Sequence, residues 1–295
     1  MATIEYVRDL TFEYAVLETV SPNIRRIIAR NPGPFTFHGT GTYVVGHGKV
    51  AIIDPGPDIA EHIDAVLHAL RNETIESLVI THTHIDHSPA WAAIKRATGA
   101  ATYGFGPHGG IPGETAEQGA DRSFVPEHAM VEGDSVEIGG HRLTAVHTPG
   151  HTSNHLCFAL DAEKVLFSGD HVMGWSTSVI VPPDGNMADY MTSLEKLLHR
   201  DDAIYLPTHG PAIPNPKRHV ESFIAHRGER RDGILRELGA TGRPILELVD
   251  ALYLGLNPLL RPAAARSVFA HLIELVDAGL VKTDGPPRLE GLYRR

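Results

Sequence analysis

The sequence predicts an α/β fold, with sheet inside and helices outside, followed by a small helical domain. Three observations carry this. Short apolar runs alternate with helix-spaced segments through roughly the first third of the chain. Strand-like runs then dominate up to Leu206, and long charged helical stretches take over after Pro211–Pro216 (PAIPNP). Two blocks of strands separated by helices must bury their apolar faces in layers.

Thr40–Gly46 and Val50–Asp54 are short apolar runs, the second ending in the turn Pro55-Gly56-Pro57. Ile59–Arg71 has apolar residues at 59, 63, 66, 67 and 70, a helical spacing. Ser77–Thr81 reads as a buried strand, and Pro89 opens a helix through about Ala97. Arg142–Val146, His155–Leu160, Lys164–Phe167 and Ala203–Leu206 read as strands, with a helix over Met187–His199. Beyond the boundary, Lys217–Leu238, Pro244–Leu254 and Pro262–Ala278 read as helices. Val281–Tyr293 holds Asp-Gly-Pro-Pro between short extended pieces, so helices followed by a small hairpin outline a winged helix-turn-helix. The expected division is a catalytic domain over 1–216 and a C-terminal winged-helix-like domain over 217–295.

The chain has 295 residues, 42% hydrophobic and 21% charged, which excludes disordered and collagen-like classes. No apolar run approaches the roughly 20 residues of a membrane span. The N-terminal stretch is broken by charges, unlike a secretory leader, and a lone Cys157 fits a reducing compartment. A cytoplasmic location without membrane contact is therefore expected. The net charge is −10, distributed as −13 over residues 1–216 and +3 over 217–295. An acidic main body is a poor match for polyanions. Cys157 lies mid-strand among apolar neighbours and reads as an inert thiol.

The chain holds 19 histidines, and they cluster. Thr81–His87 reads T-H-T-H-I-D-H, placing His82, His84, Asp86 and His87 just after a strand and before a helix. Side chains at the carboxyl end of a strand project into a shared crevice. His82 and His84 point to one side of an extended backbone, while Asp86 and His87 come where the chain turns. Such ligands suit zinc, and also iron or manganese. Three further pieces place His151 in T-P-G-H-T, Asp170 in F-S-G-D and His209 in T-H-G, each beside a glycine near a strand end. His147, His155 and His171 flank these pieces, and each admits a packing role or a place at the cleft. Tyr190, His226 and Arg227 admit the same two readings from helices.

H-x-H-x-D-H, then G-H-T, S-G-D and H-G, in this order over about residues 35–215, resemble the metallo-β-lactamase fold superfamily. The resemblance implies an αββα sandwich with a two-metal site at one sheet edge. Carried over, His82, His84 and His151 would hold one metal and Asp86, His87 and His209 the other, with Asp170 bridging. Asp54 would orient ligand side chains without binding metal. The long helix with His226-Arg227 and the tail, with Gly174 and Asp189-Tyr190-Met191, are similar to a narrower branch that includes mitochondrial endoribonucleases and fungal polyketide thioesterases.

Two Zn²⁺ ions are expected, with Mn²⁺ or Fe²⁺ as alternatives. Two divalent metals lower the pKa of a shared water, and the resulting hydroxide attacks a polarised carbonyl or phosphoryl group. Asp86 would hold one metal and take the proton as the intermediate collapses. The function expected first is hydrolysis of a small acyl ester, thioester or lactone. The alternative is cleavage of single-stranded RNA at the same site. A β-lactamase and an iron-dependent sulfur dioxygenase rank below both, and a metal-free module conflicts with the complete ligand set. Pro262–Ala278 reads either as a nucleic-acid recognition helix or as a cover that shapes the pocket, and its few basic residues favour the cover. Specificity is expected in the loops Gly104–Glu114 and Trp175–Asn186.

Overall fold

The computed structural model describes residues 4–109 and 119–295. Its first sheet runs in sequence order: β1 (Glu18–Ser21), β2 (Ile24–Ile28), β3 (Gly41–Val45), β4 (Lys49–Ile53), β5 (Thr74–Val79), β6 (Ala101–Gly104) and β7 (His128–Ala129). Pairing is antiparallel up to β4 and parallel from β4 to β7. Two of the parallel crossovers are helical: α1 (Ala60–Ala69) links β4 to β5, and α2 (Trp91–Thr98) links β5 to β6. The second sheet contains β8 (Ser135–Ile138), β9 (His141–His147), β10 (Leu156–Leu160), β11 (Val165–Gly169), β12 (Ile204–Pro207) and β13 (Ile213–Pro214). Helix α3 (Met187–Leu197) connects the parallel pair β11 and β12.

The period-2 pattern assigns every strand face. In β3 and β4, Tyr43, Val45, Ala51 and Ile53 meet Leu156, Phe158 and Phe167 of the second sheet in one core. The intervening Val44, Val50 and Ile52 turn outward against Ile63 and Val66 of α1 and Ile94 of α2. In β10 and β11, Cys157, Ala159 and Leu166 turn outward against α3 and α4 (Pro216–Glu237). The result is the expected order of helix, sheet, sheet, helix.

The tail adds β14 (Arg243–Pro244), α5 (Ile245–Leu252), α6 (Arg261–Asp277), β15 (Lys282–Thr283) and β16 (Leu292–Arg294). Strand β16 lies between β14 and β15, so the predicted hairpin is the wing of a small three-stranded sheet. Ile234, Leu248, Val268 and Leu272 form this part's own core. Ala270 of α6 joins the core beneath the second sheet, so α6 also packs on the main body. None of the described helices is long and apolar enough to cross a membrane.

Two expectations shift. The helix expected to open at Pro89 starts at Trp91, because His87, Ser88 and Trp91 use their amides in successive turns onto His84 and Ser88. Strands β1 and β2 add to the expected set: β1 is short and largely polar, and Arg25 and Arg26 interrupt the apolar run of β2. Both arginines find distant partners: Arg25 forms an ion pair with Glu73 at 2.6 Å, and buried Arg26 donates to the Gly210 carbonyl at 3.3 Å.

Candidate metal centre

The loops after β4, β5, β9, β11 and β12 converge at one end of the sandwich, where the ends of both sheets supply the predicted residues. Asp54, fully buried just after β4, sits in the left-handed region with φ +48°, a conformation aspartate tolerates better than most residues. Its carboxylate accepts from the Thr81 amide and hydroxyl and from the Thr208 hydroxyl, each at 2.8 Å, and from His87 Nδ1 at 2.9 Å. One carboxylate thus ties together the loops that carry His82, His87 and His209.

Outer-nitrogen bonds fix which ring nitrogens face inward. His87 donates through Nδ1 to Asp54, His209 through Nδ1 to the Gly39 carbonyl at 3.2 Å, and His151 through Nδ1 to the Val179 carbonyl at 2.6 Å. The Thr81 hydroxyl gives its proton to Asp54, so at 3.0 Å it accepts from His82 Nδ1. His82 Nε2 and His151 Nε2 therefore present lone pairs. Both point at His84 Nδ1, at 2.9 and 3.1 Å. A single proton on His84 serves only one of them, whereas a cation among the three nitrogens serves all.

The second cluster is Asp86, His87 and His209. His209 Nε2 lies 3.1 Å from Asp86 Oδ2, and His87 Nε2 lies 3.7 Å from the same oxygen. Asp170 stands between the clusters. Its Oδ2 is 3.8 Å from His151 Nε2 and 3.6 Å from His87 Nε2, and its Oδ1 is 3.5 Å from His209 Nε2. In each of the groups His82-His84-His151, His82-His87-Asp170 and Asp86-His87-His209, the ligand atoms lie within 4.8 Å of one another. His87 Nε2, His209 Nε2 and Asp170 Oδ1 are buried without a hydrogen-bond partner, a costly state for inward-facing polar atoms. These donor types and orphaned atoms fit divalent metal.

The electrostatics agree. Burial pushes the Asp86 and Asp170 carboxyls up, but the neighbouring imidazoles outweigh it and hold both below the usual range. Burial pushes His87 and His209 down, and the facing carboxylates outweigh it and raise both. Burial, then the surrounding rings, hold His82 neutral.

All seven predicted ligands and Asp54 meet here. Gly169 has φ +52°, and a Cβ there would sit 2.5 Å from His155 Nε2, so the glycine before Asp170 is required by close approach. His155 lies behind the site, accepting the Asp170 amide at 3.2 Å. His171 packs on Tyr190 with ring centroids 4.7 Å apart, and burial pushes it down to about 3. Half-buried His147 stacks on Phe105 with ring centroids 4.5 Å apart.

A cavity of about 350 Å³ opens over His84, Asp86, His151 and Asp170. Trp175, Val179 and Val181 of the predicted rim form one wall. Of Gly104–Glu114, residues 110–114 lie outside the described residues, and 104–109 do not line the cavity. Sequence reasoning missed Phe35, Ile85 and Met173, whose only signal is apolarity beside a motif. Arg227 is buried, donates to the Ser178 carbonyl and lies over the Tyr190 ring at 5.3 Å. It therefore braces this wall from α4 and does not enter the cavity.

Comparison with known proteins agrees with this geometry. Residues 36–209 match the metallo-beta-lactamase superfamily, and residues 245–287 match the beta-lactamase associated winged helix domain. The beta-lactamase-like protein 2 homolog of Caenorhabditis elegans is 32% identical over 90% of this chain and 88% of its own. The atrochrysone carboxyl ACP thioesterase AacuM of Aspergillus aculeatus is 32% identical over 76% of this chain and 67% of its own. In fold, a metallo-beta-lactamase family protein of Thermus thermophilus matches with TM-score 0.77 and 22% identity, covering 94% of this chain and 100% of its own. A beta-lactamase domain protein of Burkholderia ambifaria matches with TM-score 0.80 and 19% identity, covering 99% and 97%.

Proposed function

From the premise that this chain belongs to the metallo-β-lactamase superfamily, and is thus a metal-dependent hydrolase, we propose that it is a dinuclear zinc enzyme cleaving a small acyl ester, thioester or lactone. In this reading residues 1–216 form the catalytic domain and residues 217–295 the appended one. The observation that carries the proposal is the pair of ligand clusters, joined by Asp170, beneath a cavity at the small-ligand end of the usual range. The thioesterase name of the Aspergillus aculeatus relative favours the thioester.

His82, His84 and His151 would hold one ion, Asp86, His87 and His209 the other, and Asp170 both. Divalent ions held there would lower the pKa of water towards neutrality and would withdraw charge from a carbonyl oxygen. The chain's own part is orientation and proton handling. Asp54 and the carbonyls of Gly39 and Val179 lock the imidazoles so that the Nε2 atoms of His87, His209 and His151 face inward. Asp86, its side chain 23% exposed to the cavity, is held ionised. Its carboxylate oxygen takes a proton from the attacking water and releases it to the departing thiol or alcohol. The apolar wall holds the acyl body and limits competing water.

The test is hydrolysis of an aromatic acyl thioester by zinc-, manganese- and iron-loaded protein, with single-stranded RNA in parallel and Asp86→Ala as control. Zinc-supported thioester cleavage is expected, with turnover falling by about a hundredfold or more in the variant and KM by only a few-fold. RNA cleavage that vanishes in Asp86→Ala, with no thioester hydrolysis, would overturn the proposal for the nuclease. Activity with iron alone would turn it towards redox chemistry.

A further inference from the structure

Helix α6 reaches into the cavity over the candidate metal centre. Among the described lining residues, Arg266 is the only lysine or arginine. The rest of the wall is largely apolar, with Phe35, Ile85, Met173 and Trp175 facing the same space. The position of Arg266 is set by the helix. Ala264, Ala265, Val268 and Leu272 turn towards the core of the C-terminal part. Ala270, one turn after Arg266, packs against the main body, so this face of α6 looks towards the cavity end of the sandwich.

The backbone at this point is anchored. Buried Arg227 spans from the Ser178 carbonyl in the cavity wall to the hydroxyl of Ser267, the residue after Arg266, the latter at 3.4 Å. Arg266 itself makes no ion pair or hydrogen bond among the described residues. By contrast, Arg243 and Arg261 of the same part pair with Glu237 and Asp250. An unpaired guanidinium, permanently charged and planar, on the largely apolar rim of a cavity whose acidic groups, Asp86 and Asp170, belong to the candidate metal centre is a ready receptor for an oxyanion.

Resting on the hydrolase reading above, we infer that Arg266 is a specificity-determining residue: the substrate is an apolar or aromatic acyl compound that carries a carboxylate or phosphate away from the scissile carbonyl, and Arg266 binds that anionic group. The C-terminal domain would thus select the substrate, while the main domain supplies the chemistry. The anion can belong to the acyl portion or to the leaving group, and both present the same oxygens to the guanidinium.

The experiment uses N-acetylcysteamine thioesters of 5-phenylpentanoic acid with either a para-methyl or a para-carboxylate group, and the para-methyl acyl thioester of phosphopantetheine. The free para-carboxylated diacid serves as a calorimetric binding probe. Wild-type protein is expected to favour one anionic thioester over the neutral one by roughly tenfold to a hundredfold in kcat/KM. Which thioester is favoured identifies the portion that carries the anion. Arg266→Ala should collapse that ratio, mainly through KM, and Arg266→Lys should restore part of it. An anionic-to-neutral ratio near one in the wild type, or one unchanged in Arg266→Ala together with unchanged diacid affinity, overturns the inference. If no thioester is hydrolysed, the diacid decides alone. Arg266-dependent binding would then support the anion site while the thioesterase reading falls, and Arg266-independent binding, or none, would overturn both.

Discussion

Asp54 holds three stretches of chain with one carboxylate, so its replacement tests whether the site is built from behind. Asn at this position keeps the shape, but one of its two acceptors becomes a donor facing the Thr81, Thr208 or His87 protons. Loss of such support behind a ligand weakens metal binding by about tenfold to a hundredfold. Asp54→Asn is expected to show that loss when zinc is titrated against a chromogenic chelator, with an unchanged far-ultraviolet spectrum. Unaltered zinc affinity would remove Asp54 from the site. The residue scale also shows what a sequence carries. His82, His84, Asp86 and His87 are legible because local spacing alone brings them together. The Asp54 bonds are not, because their partners stand 27, 33 and 154 positions away. The motifs could name the residue but not its four bonds.

Among the elements, α4 and α6 decide whether the tail is a passenger. Helix α1 was readable because its apolar positions repeat near 3.6 residues, and β10 because it is a short unbroken apolar run, although such a run does not say which side chain takes which face. Arg227 breaks that logic. It is a charged residue on a charged helix, yet it is buried against Tyr190 and bonded to the wall carbonyl of Ser178. The adjacent Val179 carbonyl accepts from His151. Arg227 therefore links a tail helix to a ligand of the site through one short segment. Replacing it with Met keeps much of the apolar stem and removes the donors. A hydrogen bond from a charged group contributes about 1.5–3 kcal/mol, so Arg227→Met is expected to lower stability by that order in urea unfolding. KM should rise with it, because the Ser176–Val181 wall loses its brace. A variant as stable as the wild type, with the same KM, would show that α4 does not support the wall.

Acid should weaken both halves of the molecule together, because each buries histidines that folding keeps neutral. In the main body His62 is enclosed by Thr42 and the Pro55 carbonyl, and burial pushes it down to about 4. In the tail, burial pushes His226 down to about 4, aided by Arg227 and Arg230, with Glu229 opposing. His271 is lowered by burial against the opposing influence of Glu274, and His219 by burial against its bond to the Met173 carbonyl. In each case the folded pKa lies below the unfolded value, so the unfolded chain binds more protons on acidification. The stability these groups confer is complete above the unfolded histidine value of about 6.5 and is lost as pH falls towards 4. For His62 alone the shift corresponds to roughly 3 kcal/mol at the acid end of that window. In thermal melts of the metal-free protein these rings should lower Tm from pH 7 to pH 4.5, against the opposite contribution of His87 and His209, which their facing carboxylates raise, and both parts should unfold in one transition because Ala270 and Arg227 join their cores. His62→Gln should reduce the slope, since glutamine fills the site without a titrating ring. A pH slope untouched by His62→Gln would mean that this ring is solvated, and two separate transitions would mean that the two parts are less tightly joined than their packing shows.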